Sequence, residues 1–346
     1  TIDNLIGGKL NSAGNPICPG IPKGRIVNVY GHEGSGKTTL ALSAAVEVYK
    51  KGGTVAYIDF EHAISPLYAQ KLGVPILDSK HFALIQPETL EDGFKYMWVY
   101  TMAGVDLLVV DSVGAAVSKK EMEKKISEQG STPQVGFVAR LWSQFLPKLK
   151  AKMSKTGTAM IAIAQIRDAI NTMGYGDSTN VQGGKAWKFY SAIRIKLARL
   201  KQEKAMVYDP MTHQKVKQTV ANQIKVKLEK NKIGPTQNHE ARFYIQQGEG
   251  IDNIRSLIDS AIAHKVIKKG GAWLTWPMPD GTEKKGQGFD SFKQMLLKEN
   301  LVAALQESVM PHIRAAYASV SNIGEDTDVE EEDFGIEELN SLMDDD

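Results

Sequence analysis

Gly31-His32-Glu33-Gly34-Ser35-Gly36-Lys37-Thr38 decides the reading of this 346-residue chain. The stretch fits G-x-x-x-x-G-K-[ST], a loop that grips phosphates. Its glycines let backbone N–H groups come close to a phosphate chain. Lys37 supplies a fixed charge for the β- and γ-phosphates, and Thr38 offers a hydroxyl to Mg²⁺. The flanks agree with this. Arg25–Tyr30 reads as a buried strand and Thr39–Val46 as a helix, so the helix N-terminus points its dipole at the phosphates. Gly31, Glu33, Gly34, Ser35, Gly36, Lys37, Thr38 and Thr39 are therefore the first candidate nucleotide ligands. A chance glycine turn is the competing reading, and the strand–turn–helix context weighs against it.

Outward from the loop, strand and helix patterns alternate from Gly24 to about Leu200. Thr54–Asp59, Leu107–Asp111, Thr158–Ala164 and Ala192–Leu197 are continuous apolar runs, as two-sided burial in a parallel sheet requires. Helical segments lie between them, at Pro87–Ala103 and Gly136–Lys152 among others. The expected fold class is α/β, a doubly wound and mostly parallel sheet. Asn222–Leu228 and Glu240–Gln246 alternate more and read as later, antiparallel strands. Gly248-Glu249-Gly250 marks a change of character. The residues beyond it suggest a small α+β C-terminal domain, with a helix at Ile254–His264, a short sheet around Gly271–Gly288 and further helices. Ser319–Gly324 reads as a linker. The expected division is 1–251, 252–324 and a disordered tail, 325–346. Two polar, turn-rich segments, Ser127–Gln134 and the stretch after Gln165 up to Lys185, are long enough to suggest functional loops.

The composition bounds the class. Hydrophobic residues make up 42% and charged residues 24%, ordinary values for a globular protein. No apolar run approaches the ~18 residues of a membrane span. The N-terminus lacks the features of a signal peptide, and a Thr rather than a Met at position 1 suggests a missing upstream segment. Cys18 is the only cysteine, and the seven histidines show no zinc spacing. A reducing, cytoplasmic setting without a membrane partner is expected. Residues 325–346 carry twelve acids and no Lys or Arg. That leaves 42 basic against 28 acidic residues, a net of +14, in the other 324. A basic body with an acidic tail suits a polyanion partner, and a merely solubilising tail accounts for the composition equally well.

Phosphoryl transfer needs a metal, a charge clamp and an oriented water. Asp111 ends a core strand at the edge where α/β sheets place ligands, which suits an acid supporting Mg²⁺. Glu61 follows the Thr54–Asp59 strand by two residues, where a carboxylate can orient the attacking water or serve as an exposed loop acid. Gln165 opens the long loop. Its amide could sense the γ-phosphate, or it could simply cap a strand.

The motifs Gly31–Thr38, Tyr57–Ala63, Val109–Val113, Ala164–Arg167, Gly183–Tyr190 and Lys230–Ile233 occur in the order and near the spacings of the RecA family of DNA strand-exchange recombinases, which the chain resembles from about residue 1 to about residue 320. Gly270–Trp273 and Gly286–Gly288 resemble that family's C-terminal domain. The resemblance implies a DNA-dependent ATPase that forms helical filaments on single-stranded DNA and pairs it with homologous duplex. ATP and Mg²⁺ would be its cofactors. It implies Lys37 and Thr38 at the phosphates, Thr38 and Asp111 at Mg²⁺, Glu61 as the catalytic carboxylate, Gln165 as the γ-phosphate sensor and Tyr68 on the adenine. Lys230 and Lys232 would reach the neighbouring subunit's nucleotide. Ser127–Val135 and Ile166–Gln182 match the two DNA loops. Arg140, Ser143, Arg167, Gly183, Gly184 and Lys185 match positions near the DNA backbone, with Ile170 or Met173 wedging between bases. The acidic tail would gate DNA binding, or dock a single-strand-binding or mediator protein through Phe334, Ile336, Leu339, Leu342 and Met343.

The chain departs from that family pattern at Pro147, which replaces an arginine, at Asp168, and in longer loops, and these changes point to a distant or bacteriophage-encoded member. A hexameric helicase on the same core, or an accessory protein with a weak ATPase, is the alternative class.

Overall fold

The computed structural model describes residues 6, 20–123, 136–168, 179–181, 184–209, 211–234 and 239–321. Thirteen strands are defined among them: β1 (Ile26–Gly31), β2 (Val55–Asp59), β3 (Phe82–Ile85), β4 (Leu107–Asp111), β5 (Ala159–Asp168), β6 (Thr179–Val181), β7 (Ile193–Asp209), β8 (Gln214–Asn231), β9 (Glu240–Gln246), β10 (Gly250–Ile251), β11 (Lys268–Gly270), β12 (Trp273–Pro277) and β13 (Glu283–Gln287). The helices are α1 (Lys37–Lys50), α2 (Pro66–Lys71), α3 (Leu90–Ala103), α4 (Lys119–Met122), α5 (Phe137–Thr156), α6 (Ala186–Tyr190), α7 (Asn253–Ala263), α8 (Gly288–Lys298) and α9 (Val302–Ser321).

The main sheet runs β10-β9-β8-β7-β1-β5-β4-β2-β3, with β6 hydrogen-bonded to β5. From β7 to β3 every neighbouring pair is parallel, and β7 through β10 are antiparallel. The apolar runs have a direct cause. Successive side chains point to opposite faces, and both faces are covered. Val27, Val29, Val55, Tyr57, Leu107, Val109, Ile161 and Ile163 bury one face beneath Ala41, Leu42 and Ala45 of α1. Ile26, Tyr30, Ala56, Ile58, Leu108, Val110, Met160 and Ala162 bury the other against α3 and α5. On that second face Trp142 meets Phe94 and Trp187 edge-on, at 4.9 and 4.7 Å between ring centroids. Phe94 stacks on Phe145 at 4.0 Å. Such aromatic pairs add about 0.5–1.5 kcal/mol each beyond the area they bury.

Caps fix where the helices begin. The Thr89 hydroxyl accepts from the Asp92 N–H ahead of α3, and the Asp252 carboxylate accepts from the Arg255 N–H ahead of α7. The residues beyond Asp252 build a separate apolar cluster. Ile258, Leu274, Trp276, Phe292, Leu296 and Leu305 join α7, the three-stranded sheet β11-β12-β13, α8 and α9. Among the described residues no helix is long and apolar enough to cross a membrane.

Four features differ from the expectation. β5 continues to Asp168, so Gln165 lies within the strand, level with Gly31, rather than after it. Thr179–Val181 turns back to pair with Ile166–Asp168, and this closes the base of the second expected loop. The largest difference is β7–β8. Two short strands were expected, and strands of 17 and 18 residues are found, paired from Ile193↔Asn231 out to Asp209↔Gln214. The distal ribbon is largely exposed, with Glu203, Val207 and Val216 only half-buried, so it carries no strong apolar alternation for a sequence reading to detect. Finally, α9 runs through Ser319 to Ser321, where a linker was expected to begin. The expected tail, 325–346, lies outside the described residues.

Candidate active site

The loop between β1 and α1 sits where β1 ends, at the carboxyl edge of the parallel sheet. Close packing sets its glycines. A Cβ on Gly31 would lie 2.2 Å from the Leu197 carbonyl oxygen, and one on Gly36 would lie 2.3 Å from Ile245 Cδ1. Gly34 and Gly36 also take φ of 68° and 86°, in the left-handed region. Ser35 Oγ is buried with no hydrogen-bond partner among the described residues, and the Ser35 N–H donates to the His32 carbonyl at 3.3 Å. Lys37 is buried, and its Nζ donates to the His32 carbonyl at 2.9 Å. Burial holds the Lys37 pKa below the ordinary lysine value, against the opposing pull of Asp111, Glu61 and Glu33.

Thr38 Oγ1 donates to Asp111 Oδ2 at 2.7 Å, bringing the two residues expected at Mg²⁺ together. A second donor reaches the same oxygen: the Tyr57 hydroxyl, at 2.8 Å. Burial pushes the Asp111 carboxyl up to about 6, while the Thr38 and Tyr57 hydroxyls pull it down. An oxygen-only donor set of one hydroxyl and one carboxylate fits Mg²⁺, which keeps waters and takes its remaining ligands from phosphates. Among the described residues there is no cluster of three or more His, Cys, Asp or Glu able to hold a metal.

Gln165 Nε2 donates to Glu61 Oε1 at 2.8 Å, so the expected sensor and the expected catalytic carboxylate are in direct contact. Glu61 is held by a turn around Asp59. That buried carboxylate accepts from the Glu61 and Ile64 backbone N–H groups at 3.1 and 3.3 Å and from Gln86 Nε2 at 3.1 Å. Tyr68, on α2, shares a 3.2 Å hydrogen bond with Thr39 Oγ1. Next to it a cleft of about 500 Å³ opens between Tyr68, Arg199, Asn222, Ile245 and Gln247. Since Ile245 also abuts Gly36, this cleft leads on from the phosphate loop. A larger cleft of about 770 Å³, bordered by Lys23, Arg25, Lys150, Phe189 and Lys232, contains no phosphate-loop residue.

The structure separates Lys230 and Lys232 from this cluster. Lys230 pairs with Arg194 and the Lys232 N–H donates to the Ala192 carbonyl, near the amino edge of the parallel strands, whereas Gly31 is level with Leu197. Lys230 Nζ donates to the carbonyls of Lys188 and Phe189 at 2.6 and 3.3 Å, which covers the C-terminal end of α6. Desolvation, followed by repulsion from Lys232 and Arg194, lowers its pKa.

Of the residues expected at DNA, Arg140 and Ser143 are exposed on α5, with Ser143 Oγ donating to the Ala139 carbonyl at 2.7 Å. Gly184, at φ 86°, packs on that helix: a Cβ there would lie 2.7 Å from the Ala139 Cβ. Lys185 follows it, exposed, at the start of α6. Pro147 lies exposed one turn beyond Ser143. The Arg167 backbone pairs with Asn180. The Arg167 and Asp168 side chains, together with Ile170, Met173, Gly183 and Ser127–Val135, lie outside the described residues.

Tyr57, Asp59, Gln86 and Arg199 were missed by the sequence reading. Tyr57 did leave a signal: a tyrosine in a strand buried on both faces must find a partner for its hydroxyl. Asp59 and Gln86 join only through the fold, and Arg199 approaches Gly34 from a strand more than 160 residues away in sequence.

The family model for the RecA N-terminal domain matches residues 2–252. The chain is 41% identical over 308 residues to Protein RecA of Sulfurovum sp. (strain NBC37-1), covering 89% of this chain and 82% of that one. It is 41% identical over 284 residues to Protein RecA of Chlorobaculum parvum, covering 82% and 75%, and 40% identical over 301 residues to Protein RecA of Staphylococcus aureus (strain Newman), covering 87% and 77%. With its parallel sheet, its glycine-rich Gly31–Thr38 loop at the carboxyl edge and these relatives along most of its length, the chain belongs to the RecA family.

Proposed function

We propose that this protein is an ATP-dependent recombinase that assembles on single-stranded DNA and exchanges strands with homologous duplex. The observation carrying this reading is the Gln165–Glu61 hydrogen bond. It joins the carboxylate beside the phosphate loop to the strand that feeds the second loop, so one contact can link nucleotide state to DNA grip.

The chemistry follows from the side chains. Backbone N–H groups from Gly31 to Lys37 would bind the phosphates, helped by the dipole of α1. Lys37 would exchange its contact with the His32 carbonyl for the β- and γ-phosphates. Glu61 would orient the attacking water and accept its proton. Thr38 and Asp111 would hold Mg²⁺, which supplies charge neutralisation at the transferring phosphate. Tyr68 and the cleft beside it would receive the base. Gln165 would exchange its bond to Glu61 for one to the γ-phosphate and shift β5, hence the loop between β5 and β6. Gly184 and Lys185, beside Arg140 and Ser143, suit a DNA backbone, with Arg167, Ile170, Met173 and Gly183 completing the contact. Lys230 and Lys232 would act on a neighbouring subunit's nucleotide. In this reading 1–251 is the ATPase core, 252–324 a C-terminal domain and 325–346 an acidic regulatory tail.

Electron microscopy of the protein on circular single-stranded DNA tests the reading. Regular filaments with ATP and Mg²⁺, and joint molecules once homologous linear duplex is added, are the expected result. Closed rings that unwind a duplex would instead assign the chain to the motors.

A further inference from the structure

This inference rests on the reading of the nucleotide site given above and deepens it. Tyr57 is fully buried in β2, level with Val109 of β4, and its ring lies 6.4 Å from that of Phe82. Asp111 lies one pleat further along β4 on the same sheet face. The Tyr57 hydroxyl crosses to it and donates to Oδ2 at 2.8 Å. That is the one hydrogen bond recorded for this hydroxyl among the described residues. Burial, then the Asp111 charge and this hydrogen bond, pushes the phenol well above its ordinary pKa. Phenylalanine would fill the same space among Val55, Val109 and Phe82. Packing therefore accounts for the ring and leaves the hydroxyl to be explained.

We propose that Tyr57 is a positioning residue: its hydroxyl fixes the Asp111 carboxylate for Mg²⁺. Thr38 Oγ1 now donates to the same oxygen, at 2.7 Å. A hydroxyl that takes a cation uses its oxygen lone pairs for it, and its position then moves with the loop and the nucleotide. Tyr57 stands on the rigid sheet, below the loop, and its donor is unaffected by what binds above. It stops the carboxylate turning about its Cβ–Cγ bond, and it supplies a partner for a buried charge that would otherwise depend on Thr38 alone.

The test is Tyr57→Phe in the full chain, which removes one oxygen and keeps the ring. Binding of a fluorescent N-methylanthraniloyl ADP is measured in EDTA and then across a Mg²⁺ titration. In EDTA, parent and variant should agree within about twofold. The Mg²⁺ concentration for half-maximal enhancement should rise by about 10–100-fold, as for other residues that orient a metal ligand. In an Asp111→Asn background, Tyr57→Phe should add no further loss. Overlaid Mg²⁺ titrations would overturn the proposal. So would an equal loss of affinity in EDTA, or an undiminished effect in the Asp111→Asn background, since either makes the hydroxyl a packing element. A parent whose nucleotide affinity ignores Mg²⁺ would overturn the reading of the site itself.

Discussion

Lys230 and Lys232 provide the sharpest perturbation, because the sheet shows what they cannot do alone. Gly31 is level with Leu197, and Lys230 is level with Arg194, three residues back along the same strand. At about 3.3 Å per residue that offset is about 10 Å, and two strand spacings of about 4.8 Å separate β8 from β1. The phosphates would lie beyond Gly31, farther still. A lysine side chain does not span that gap, and Lys230 points instead to the carbonyls of Lys188 and Phe189. If these lysines contribute to hydrolysis, they do so on another subunit. Losing a charge that meets the transferring phosphate costs about 10²–10³-fold in turnover. Lys230→Ala with Lys232→Ala should therefore lower DNA-stimulated ATP hydrolysis by about that factor and leave nucleotide affinity of the free subunit within about threefold. Mixing this double variant with Glu61→Gln subunits should restore part of the activity, since mixed interfaces place an intact Glu61 opposite intact lysines. Turnover that stays flat at every mixing ratio would refute action in trans. Loss of nucleotide binding by the free subunit would show that the lysines serve the fold.

Three further expectations concern the same machinery. Glu61→Gln should keep ATP and DNA binding and slow turnover by about 10²–10⁴-fold in a steady-state phosphate-release assay; loss of ATP binding would make Glu61 a structural acid. Gln165→Ala breaks the 2.8 Å bond to Glu61 and should leave ATP affinity nearly intact while abolishing the gain in single-strand affinity that ATP confers, measured by fluorescence anisotropy; an equal gain in parent and variant would remove Gln165 as the sensor. Deleting 325–346 removes the twelve acids tethered to a body of net +14 and should raise duplex affinity, most at low salt, because the tail competes by screened charge; isotherms that coincide at every salt concentration would favour a docking role for the tail.

Which parts could be read from sequence follows from how each interaction is encoded. The tight turn Gly31–Thr38 was legible because its geometry demands glycine at fixed offsets: a Cβ on Gly31 would meet the Leu197 carbonyl oxygen, and Gly36 takes a left-handed φ of 86°. The core strands were legible because a sheet covered on both faces requires continuous apolar runs. The contact of Thr38 with Asp111 followed from one rule, that ligands gather at the carboxyl edge. The long β7–β8 ribbon escaped notice because its distal residues pair with each other in solvent, where no apolar period is imposed. The Asp59–Gln86 and Tyr57–Asp111 contacts join strands distant in sequence, and only the register of β2 against β3 and β4 brings them together.

If nucleotide chemistry and DNA grip form one device, ATP turnover must respond to single-stranded DNA. The intact chain should hydrolyse ATP slowly alone and at least about tenfold faster on saturating single strands, in a Mg²⁺-dependent manner, and Lys37→Ala should be inactive under both conditions. Equal turnover with and without DNA would show that the two sites are uncoupled, and full activity in Lys37→Ala would show that Gly31–Thr38 does not hold the phosphates.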